Sequence, residues 1–215
     1  MEDISYTFYV VYDNKFVYFG VSVKDDVYIA KNYGQQLRYD WPVTWENDAV
    51  EYFFDGDASR STGGSRNPVE TETGGQWIYG LGAEDTALPF VTAEGSGGYV
   101  RPYGTGPDDV WYAKTTVNEQ TADWYQEARF ALSIIGNPSA KSEIGFDICV
   151  DDVDVFDEQT VSDPDYYAGL RDMQLYWTSY DYSPGDQAPD PCQNETQWGT
   201  MRFLQPVSVS AWEIY

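Results

Sequence analysis

Short runs in which apolar and polar residues alternate recur along the chain, and polar, glycine-rich segments separate them. Residues 4–12 alternate in this way, Asp13 and Asn14 supply a turn, and residues 16–23 resume the pattern, which predicts a β-hairpin. No stretch has a sustained helical period, although residues 131–135 are compatible with a single helical turn. The pattern therefore predicts an all-β fold, an antiparallel β-sandwich of the jelly-roll or immunoglobulin-like kind with long loops. Further strands are predicted at residues 49–55, 76–81, 111–117, 124–132, 144–150, 170–179, 200–204 and 207–215.

The length and organisation of the chain indicate one domain. Its 215 residues can bury a sizeable core, and they contain no internal repeat and no linker. We therefore expect a single domain over residues 1–215, with a strand-like extension at residues 205–215. No apolar run approaches the roughly 20 residues that are needed to cross a bilayer, so membrane insertion is not expected.

The charge of the chain restricts its partners. Only 12 Lys and Arg oppose 36 Asp and Glu, which gives a formal charge of −24. A surface this acidic repels phosphate backbones and anionic lipid headgroups, so nucleic-acid and membrane-surface partners are not expected. It suits neutral ligands such as glycans, and divalent cations such as calcium. Solubility in a salty medium is the alternative explanation.

The sequence contains no histidine, which removes several kinds of catalytic and cofactor site at once. Triads that use a histidine base, zinc held by histidine and haem held by histidine are all excluded. Carboxylates are abundant, but some pair of 36 acidic residues would lie at a glycosidase-like separation by chance. We therefore do not expect an enzyme.

Two features bear on the cellular compartment. Cys149 and Cys192 are predicted to form a disulfide, which would fit an oxidising compartment, while two separate buried thiols are the alternative. The acidic start, Met1 to Asp3, does not resemble a signal peptide. We expect an extracellular or cell-surface protein, secreted with a leader that this chain does not include.

Strand alternation suggests a ligand pocket near residues 45–55. It places Val50, Tyr52 and Phe54 on one face of a strand and leaves Glu51 on the other. Trp45 lies on the preceding loop. Pyranose rings stack on indole and their hydroxyls donate to carboxylates, so this combination fits a sugar.

Five phrases of the sequence carry a family resemblance. They are YVVYDNKFVYFGVSVKDD (9–26), WENDAVEYFFDGD (45–57), WYQEARFAL (124–132), IGFDICVDDVD (144–154), and LYWTSYDYSPGD (175–186) followed by QWGTMRF (197–203). In this order they resemble the family 9 carbohydrate-binding modules and their wider sandwich superfamily, which includes the DOMON domains. The resemblance covers about residues 5–204 and implies a β-sandwich that binds a polysaccharide or other glycan without cleaving it.

The resemblance implies particular sugar-binding residues. By motif they are Trp45, Glu51 and Asp25, with Tyr180 and Tyr182 as the aromatic residues available where the family has a second tryptophan. The family's basic residue on the strand after the glycine-rich loop has no clear match. Trp45 could instead cover the sandwich edge, and Glu51 could bind calcium or pair with Arg129. The other tryptophans are predicted to pack in the core or between the sheets: Trp77, Trp111, Trp124, Trp177, Trp198 and Trp212.

The densest acidic run predicts a structural calcium site. Closely spaced carboxylates in a loop supply the hard oxygen ligands that calcium requires, although the run lacks EF-hand spacing. A solvated acidic loop is the alternative, and related modules hold structural calcium. The run comprises Asp147, Asp151, Asp152, Asp154, Asp157 and Glu158.

Two functions remain open. The first is non-catalytic extracellular carbohydrate binding; the second is a structural or adhesive surface domain with the same fold and no sugar affinity. The chain lacks the opening segment of the family, which would leave a sheet edge open. Residues 207–215, or a strand from a neighbouring copy, would fill that edge, and the latter would produce self-association.

Overall fold

The computed structural model describes residues 4–29, 48–60, 74–80, 90–93, 111–118, 120–154, 172–178, 181–182 and 197–204. Within these ranges the chain forms eleven strands and one short 3-10 turn. No helix in this part of the chain has the length and apolarity needed to cross a bilayer. The strands are β1 (Ser5–Tyr12), β2 (Phe16–Lys24), β3 (Ala49–Asp55), β4 (Gly74–Gly80), β5 (Phe90–Ala93), β6 (Trp111–Val117), β7 (Trp124–Ala131), β8 (Glu143–Asp152), β9 (Met173–Tyr176), β10 (Asp181–Tyr182) and β11 (Gly199–Arg202).

The strands form two antiparallel sheets. The four-stranded sheet has the order β1-β2-β7-β6. Six strands of the seven-stranded sheet have the order β10-β9-β8-β3-β4-β5, and the seventh, β11, also pairs with β8. One edge of β8 is divided between two partners, because β11 pairs with residues 143–146 and β9 pairs with residues 149–152. The prediction of an antiparallel all-β sandwich is therefore confirmed.

The Asp13 side chain stabilises the turn of the first hairpin by accepting hydrogen bonds from the turn's backbone. Its carboxylate accepts hydrogen bonds from the backbone N–H groups of Lys15 at 2.7 Å and Phe16 at 2.8 Å. The strands on either side then pair from Tyr12 opposite Val17 to Ser5 opposite Lys24. An Asp whose side chain caps the following backbone is a common turn signal, and here it supports the predicted register.

The core lies between the sheets and is built largely from aromatic rings. Alternation directs Phe19 and Phe130 inward from the four-stranded sheet and Phe54 and Phe146 inward from the other. The centroid of Phe19 lies 5.4 Å from that of Phe146 and 6.0 Å from that of Phe54. Offset and edge contacts of this kind stabilise a core beyond simple burial of area.

The predicted helical turn exists as the 3-10 turn Leu132–Ile135. It ends at Gly136, which has φ of +89° and donates its backbone N–H to the Leu132 carbonyl. Any side chain at this position would also overlap with the backbone of Gly56. Glycine is therefore required both by the left-handed conformation and by the close approach.

The tryptophans that were predicted to pack in the core or between the sheets differ in how far they are buried. Trp77, Trp124 and Trp198 are buried as predicted. Trp177 is 43% exposed, yet its ring contacts Phe8 of the four-stranded sheet and Phe146 of the seven-stranded sheet, so it packs between the sheets as predicted. The side chain of Trp111 and the whole of Trp212 lie outside the described part of the chain, as do residues 205–215.

Candidate functional site

The face of the seven-stranded sheet that points away from the core, here called the outer face, carries polar and aromatic side chains. On β3 the alternation that directs Tyr52 into the core places Glu51 and Phe53 on this face. Strand registers then place Cys149 of β8 beside Glu51, and Tyr176 of β9 beside Cys149. The same face of these strands also carries Asp55, Asp147, Asp151 and Gln174.

A buried polar group occupies the middle of the outer face. Gln174 Nε2 donates to Glu51 Oε1 at 3.3 Å and lies 3.5 Å from Cys149 Sγ. Ligand atoms of Glu51, Cys149 and Asp151 lie within 4.8 Å of one another. Glu51 is only 1% exposed, so its carboxylate lies at the base of this face, away from solvent; we call this buried polar group the floor of the outer face.

The predicted disulfide is not supported. The structure forms no disulfide at Cys149, whose sulfur is buried on the outer face and lies against the Gln174 amide. Cys192 lies outside the described residues. The alternative of a buried thiol fits Cys149.

Aromatic rings border this polar floor. The centroid of Phe53 lies 5.9 Å from that of Tyr176 and 5.5 Å from that of Trp198. Arg60 reaches the same end of the sheet, where it donates to the Gly199 carbonyl at 2.8 Å and to the Trp198 carbonyl. The Asp55 carboxylate orients this segment by accepting from the backbone N–H of Arg60 at 3.1 Å.

Asp147 is a buried carboxyl on the outer face. Its oxygens accept hydrogen bonds from the Thr178 hydroxyl and from the backbone N–H of Ile148. Burial nevertheless raises the pKa of Asp147 to about 6, since desolvation outweighs these hydrogen bonds. The Asp147 carboxyl therefore changes its charge at a pH close to neutral.

A second acidic group lies at the opposite side of the same sheet, where Asp25, Asp48 and Asp152 meet. Their ligand oxygens lie within 4.8 Å of one another and all three side chains are buried. Trp124 Nε1 donates to Asp25 at 3.1 Å, while the backbone N–H groups of Val153 and Ile29 donate to Asp48. We call these residues the Asp25–Asp48–Asp152 cluster.

The chemistry of the Asp25–Asp48–Asp152 cluster fits a hard divalent cation. Burial, followed by repulsion from the neighbouring carboxylates, raises the pKa of Asp48 to about 8. A cation among the three carboxylates would replace the lost hydration and remove their repulsion. Calcium prefers six to eight oxygen ligands, of which this cluster would supply part.

The structure separates residues that the sequence grouped together. Asp25 was predicted to bind sugar beside Glu51, but it lies in the Asp25–Asp48–Asp152 cluster, while Glu51 lies on the outer face. Arg129, the alternative partner of Glu51, lies on the four-stranded sheet with its guanidinium 5.2 Å from the Phe16 ring centroid. The two sugar-binding predictions therefore refer to two different places.

The predicted calcium run is also divided. Residues up to Asp152 belong to β8, not to a loop, so Asp147 and Asp151 face outward while Asp152 faces Asp25. Asp154 follows the strand and groups with Asp25 and Asp26. Asp157 lies outside the described residues, as do Glu158, Trp45, Tyr180 and the side chain of Tyr182.

Sequence reasoning missed two residues of these groups. Asp48 carried a usable signal, since it immediately precedes β3 just as Asp25 immediately follows β2. Gln174 carried none, because its position beside Glu51 depends on the register of β8 against β9. Alternation within one strand does not determine that register.

The comparisons with known proteins agree with this fold. Residues 1–70 match a family model described as Carbohydrate family 9 binding domain-like. A family 9 carbohydrate binding module from Caldicellulosiruptor kristjanssonii in complex with glucose is similar at a TM-score of 0.56 and 17% identity, over 97% of this chain and 81% of its own. A module of that family and organism in complex with cellotriose has the same TM-score and identity, over 100% and 83%. No curated protein sequence matches the chain.

These comparisons define the class. The chain is an antiparallel β-sandwich with the fold of the family 9 carbohydrate-binding modules, and the resemblance indicated by its five phrases is confirmed.

Proposed function

We propose that this protein binds carbohydrate without cleaving it, at the outer face of the seven-stranded sheet. The observation that carries the proposal is the Gln174–Glu51 hydrogen bond beside the rings of Phe53 and Tyr176. An amide and a carboxylate beside aromatic rings combine the kinds of polar and apolar group that pyranose sites use. The similarity in fold to modules in complex with glucose and cellotriose supports the same conclusion.

Glu51 and Gln174 would form the buried base of the sugar site. Since both are buried, the sugar would lie above them, against side chains nearer the solvent. Trp45, Tyr180 and Tyr182 remain the proposed stacking residues, because stacking needs exposed aromatic faces. Asp25 is not a proposed sugar ligand, since it lies in the Asp25–Asp48–Asp152 cluster, away from the outer face that carries Glu51.

The proposed role is non-catalytic. Glycoside hydrolysis requires two carboxyl groups on either side of the scissile bond. Glu51 and Asp151 lie on the same face with ligand oxygens within 4.8 Å, but both are buried. A sugar lying above this face would meet both carboxyl groups from the same side, whereas hydrolysis needs one on each side of the bond, so the arrangement favours binding.

We also propose that the Asp25–Asp48–Asp152 cluster holds a structural calcium ion. Three buried carboxylates from three chain segments support it, together with the raised pKa of Asp48. A cation bound only by the folded protein would stabilise it by mass action. Asp25, Asp48 and Asp152 would hold the ion and so join β2, β3 and β8 at one end of the sandwich.

The proposed setting is extracellular, where polysaccharides are available. The alternative, a structural or adhesive domain without sugar affinity, keeps the same fold. Titration of the protein with cellotriose distinguishes the two functions. Heat released on titration, and its loss in Trp45→Ala and Glu51→Gln, would support carbohydrate binding.

A further inference from the structure

The solvent face of the four-stranded sheet carries two exposed tyrosines that the core does not require. Tyr9 is 67% exposed and Tyr125 is 39% exposed. Strand register aligns Tyr9 of β1 with Gly20 of β2, and Gly20 with Glu127 of β7. Glu127 in turn aligns with Lys114 of β6, so one row of residues crosses all four strands. We call these five residues the tyrosine face.

Gly20 leaves room for the Tyr125 ring above the backbone of β2. A Cβ atom at Gly20 would overlap with Tyr125 Oη and lie 3.3 Å from its Cζ. The ring therefore extends from β7 over the backbone of β2, towards the strand that carries Tyr9. Because Gly20 contributes no side chain between them, the two rings can contact one flat ligand at the same time.

The solvent face of the four-stranded sheet, which contains the tyrosine face, differs in charge from the molecule as a whole. The outward strand positions of this sheet carry the basic residues Lys24, Lys114 and Arg129 and the acidic residue Glu127. The whole chain has a formal charge of −24. An acidic partner is repelled at long range, whereas a neutral partner meets both donors and acceptors here.

The side chains around the two rings fit a sugar better than a protein. The rings do not belong to a large continuous apolar patch of the kind that marks many protein-binding sites, because exposed hydroxyl side chains lie beside them, at Thr7, Ser22 and Thr116. Sugar hydroxyls both donate and accept, which matches the Lys114 ammonium group of the same row and these three hydroxyl side chains. Pyranose C–H faces match the exposed tyrosine rings.

We propose that the tyrosine face is a second carbohydrate-binding surface, which adsorbs to the flat surface of an insoluble neutral polysaccharide. It lies on the opposite side of the sandwich from Glu51, so it goes beyond the site proposed above. Two surfaces on one domain would raise overall retention on a polymer, since the second contact forms within an already bound complex.

Adsorption to insoluble cellulose in the presence of excess soluble cellotriose tests this surface separately from the Glu51 site. Tyr9→Ala and Tyr125→Ala should each weaken adsorption about fivefold, as expected for the loss of one ring contact. Gly20→Ala should have a similar effect, because it displaces the Tyr125 ring without removing it. Tyr9→Phe and Tyr125→Phe retain the rings and serve as matched controls that should adsorb nearly as the wild type does.

Adsorption of Tyr9→Ala and Tyr125→Ala at the wild-type level would overturn the proposal, as would failure of the wild type to adsorb. Stronger adsorption to polygalacturonate than to cellulose would overturn the assignment of a neutral polysaccharide. The affinity for soluble cellotriose should be unchanged in both alanine variants. A protein that adsorbs through the tyrosines but does not bind cellotriose would refute the Glu51 site and leave this surface intact.

Discussion

The Tyr52 hydroxyl donates to Gln126 Oε1 at 2.9 Å across the core, and both side chains are fully buried. Tyr52 lies on β3 and Gln126 on β7, so this hydrogen bond joins the two sheets. The Gln126 amide nitrogen also donates to Thr115 Oγ1 at 3.0 Å and to the Tyr79 carbonyl at 3.3 Å. The network fixes β3, which presents Glu51 on its other face.

We expect Tyr52→Phe to destabilise the fold by about 1–3 kcal/mol, because it leaves the buried Gln126 oxygen without its donor. Tyr79→Phe provides a matched control. The Tyr79 hydroxyl is buried and has no hydrogen-bond partner among the described residues, so its removal should be neutral or stabilising. Urea unfolding measures both changes, and equal losses in the two variants would contradict the role of the Tyr52–Gln126 bond.

The stability of the protein should depend on the protonation of Asp147. Burial raises its pKa from 3.8 to about 6, so between these values the folded state holds a proton that the unfolded state releases. Its stabilising contribution is therefore complete below a pH of about 4 and is lost as the pH rises through about 6. Asp147→Asn should remove this loss and be more stable than the wild type at pH 8 by on the order of 2 kcal/mol.

Unfolding of wild type and Asp147→Asn between pH 4.5 and pH 8, with chelator present, measures this effect. Asp123→Asn is a suitable control, since its hydrogen bond to the Thr121 hydroxyl is exposed. A difference in stability between wild type and Asp147→Asn that stays constant with pH would refute the assignment.

Calcium should stabilise the fold through the Asp25–Asp48–Asp152 cluster. The melting temperature of the wild type should rise with calcium and fall with chelator, because only the folded protein assembles the three carboxylates. Asp152→Asn should abolish most of the calcium-dependent rise. Asp151→Asn, on the other face of the same strand, should retain it. Identical melting curves with calcium and with chelator would exclude the site.

The sequence was sufficient to predict features that depend on a single strand, such as which side chains share a face. The period of two along β3 separates Tyr52 from Glu51 whatever the neighbouring strands are, and the structure agrees. The same rule separates Asp151 from Asp152, but it applies only if β8 continues to that point. The predicted strand ended at residue 150, so both acids were assigned to a loop.

The sequence could not predict what depends on pairing between distant strands. Asp25 and Asp152 are brought together by the packing of the two sheets, and Gln174 reaches Glu51 across β8 because of the β8–β9 register. Trp177 illustrates the same limit. Its contacts with Phe8 on one sheet and Phe146 on the other depend on how the two sheets pack, which alternation within β9 does not show.

The most direct test of carbohydrate binding is calorimetric titration of the wild type, Trp45→Ala, Glu51→Gln and the control Tyr9→Phe with cellotriose. We expect saturable binding by the wild type and the control. Trp45→Ala should bind at least tenfold more weakly, which corresponds to about 1.4 kcal/mol of stacking and hydrogen bonding. Glu51→Gln should also bind more weakly, because the carboxylate that orients Gln174 is lost. Equal affinities in all four proteins, or no binding by the wild type to cellotriose or any other glycan, would contradict the proposed site.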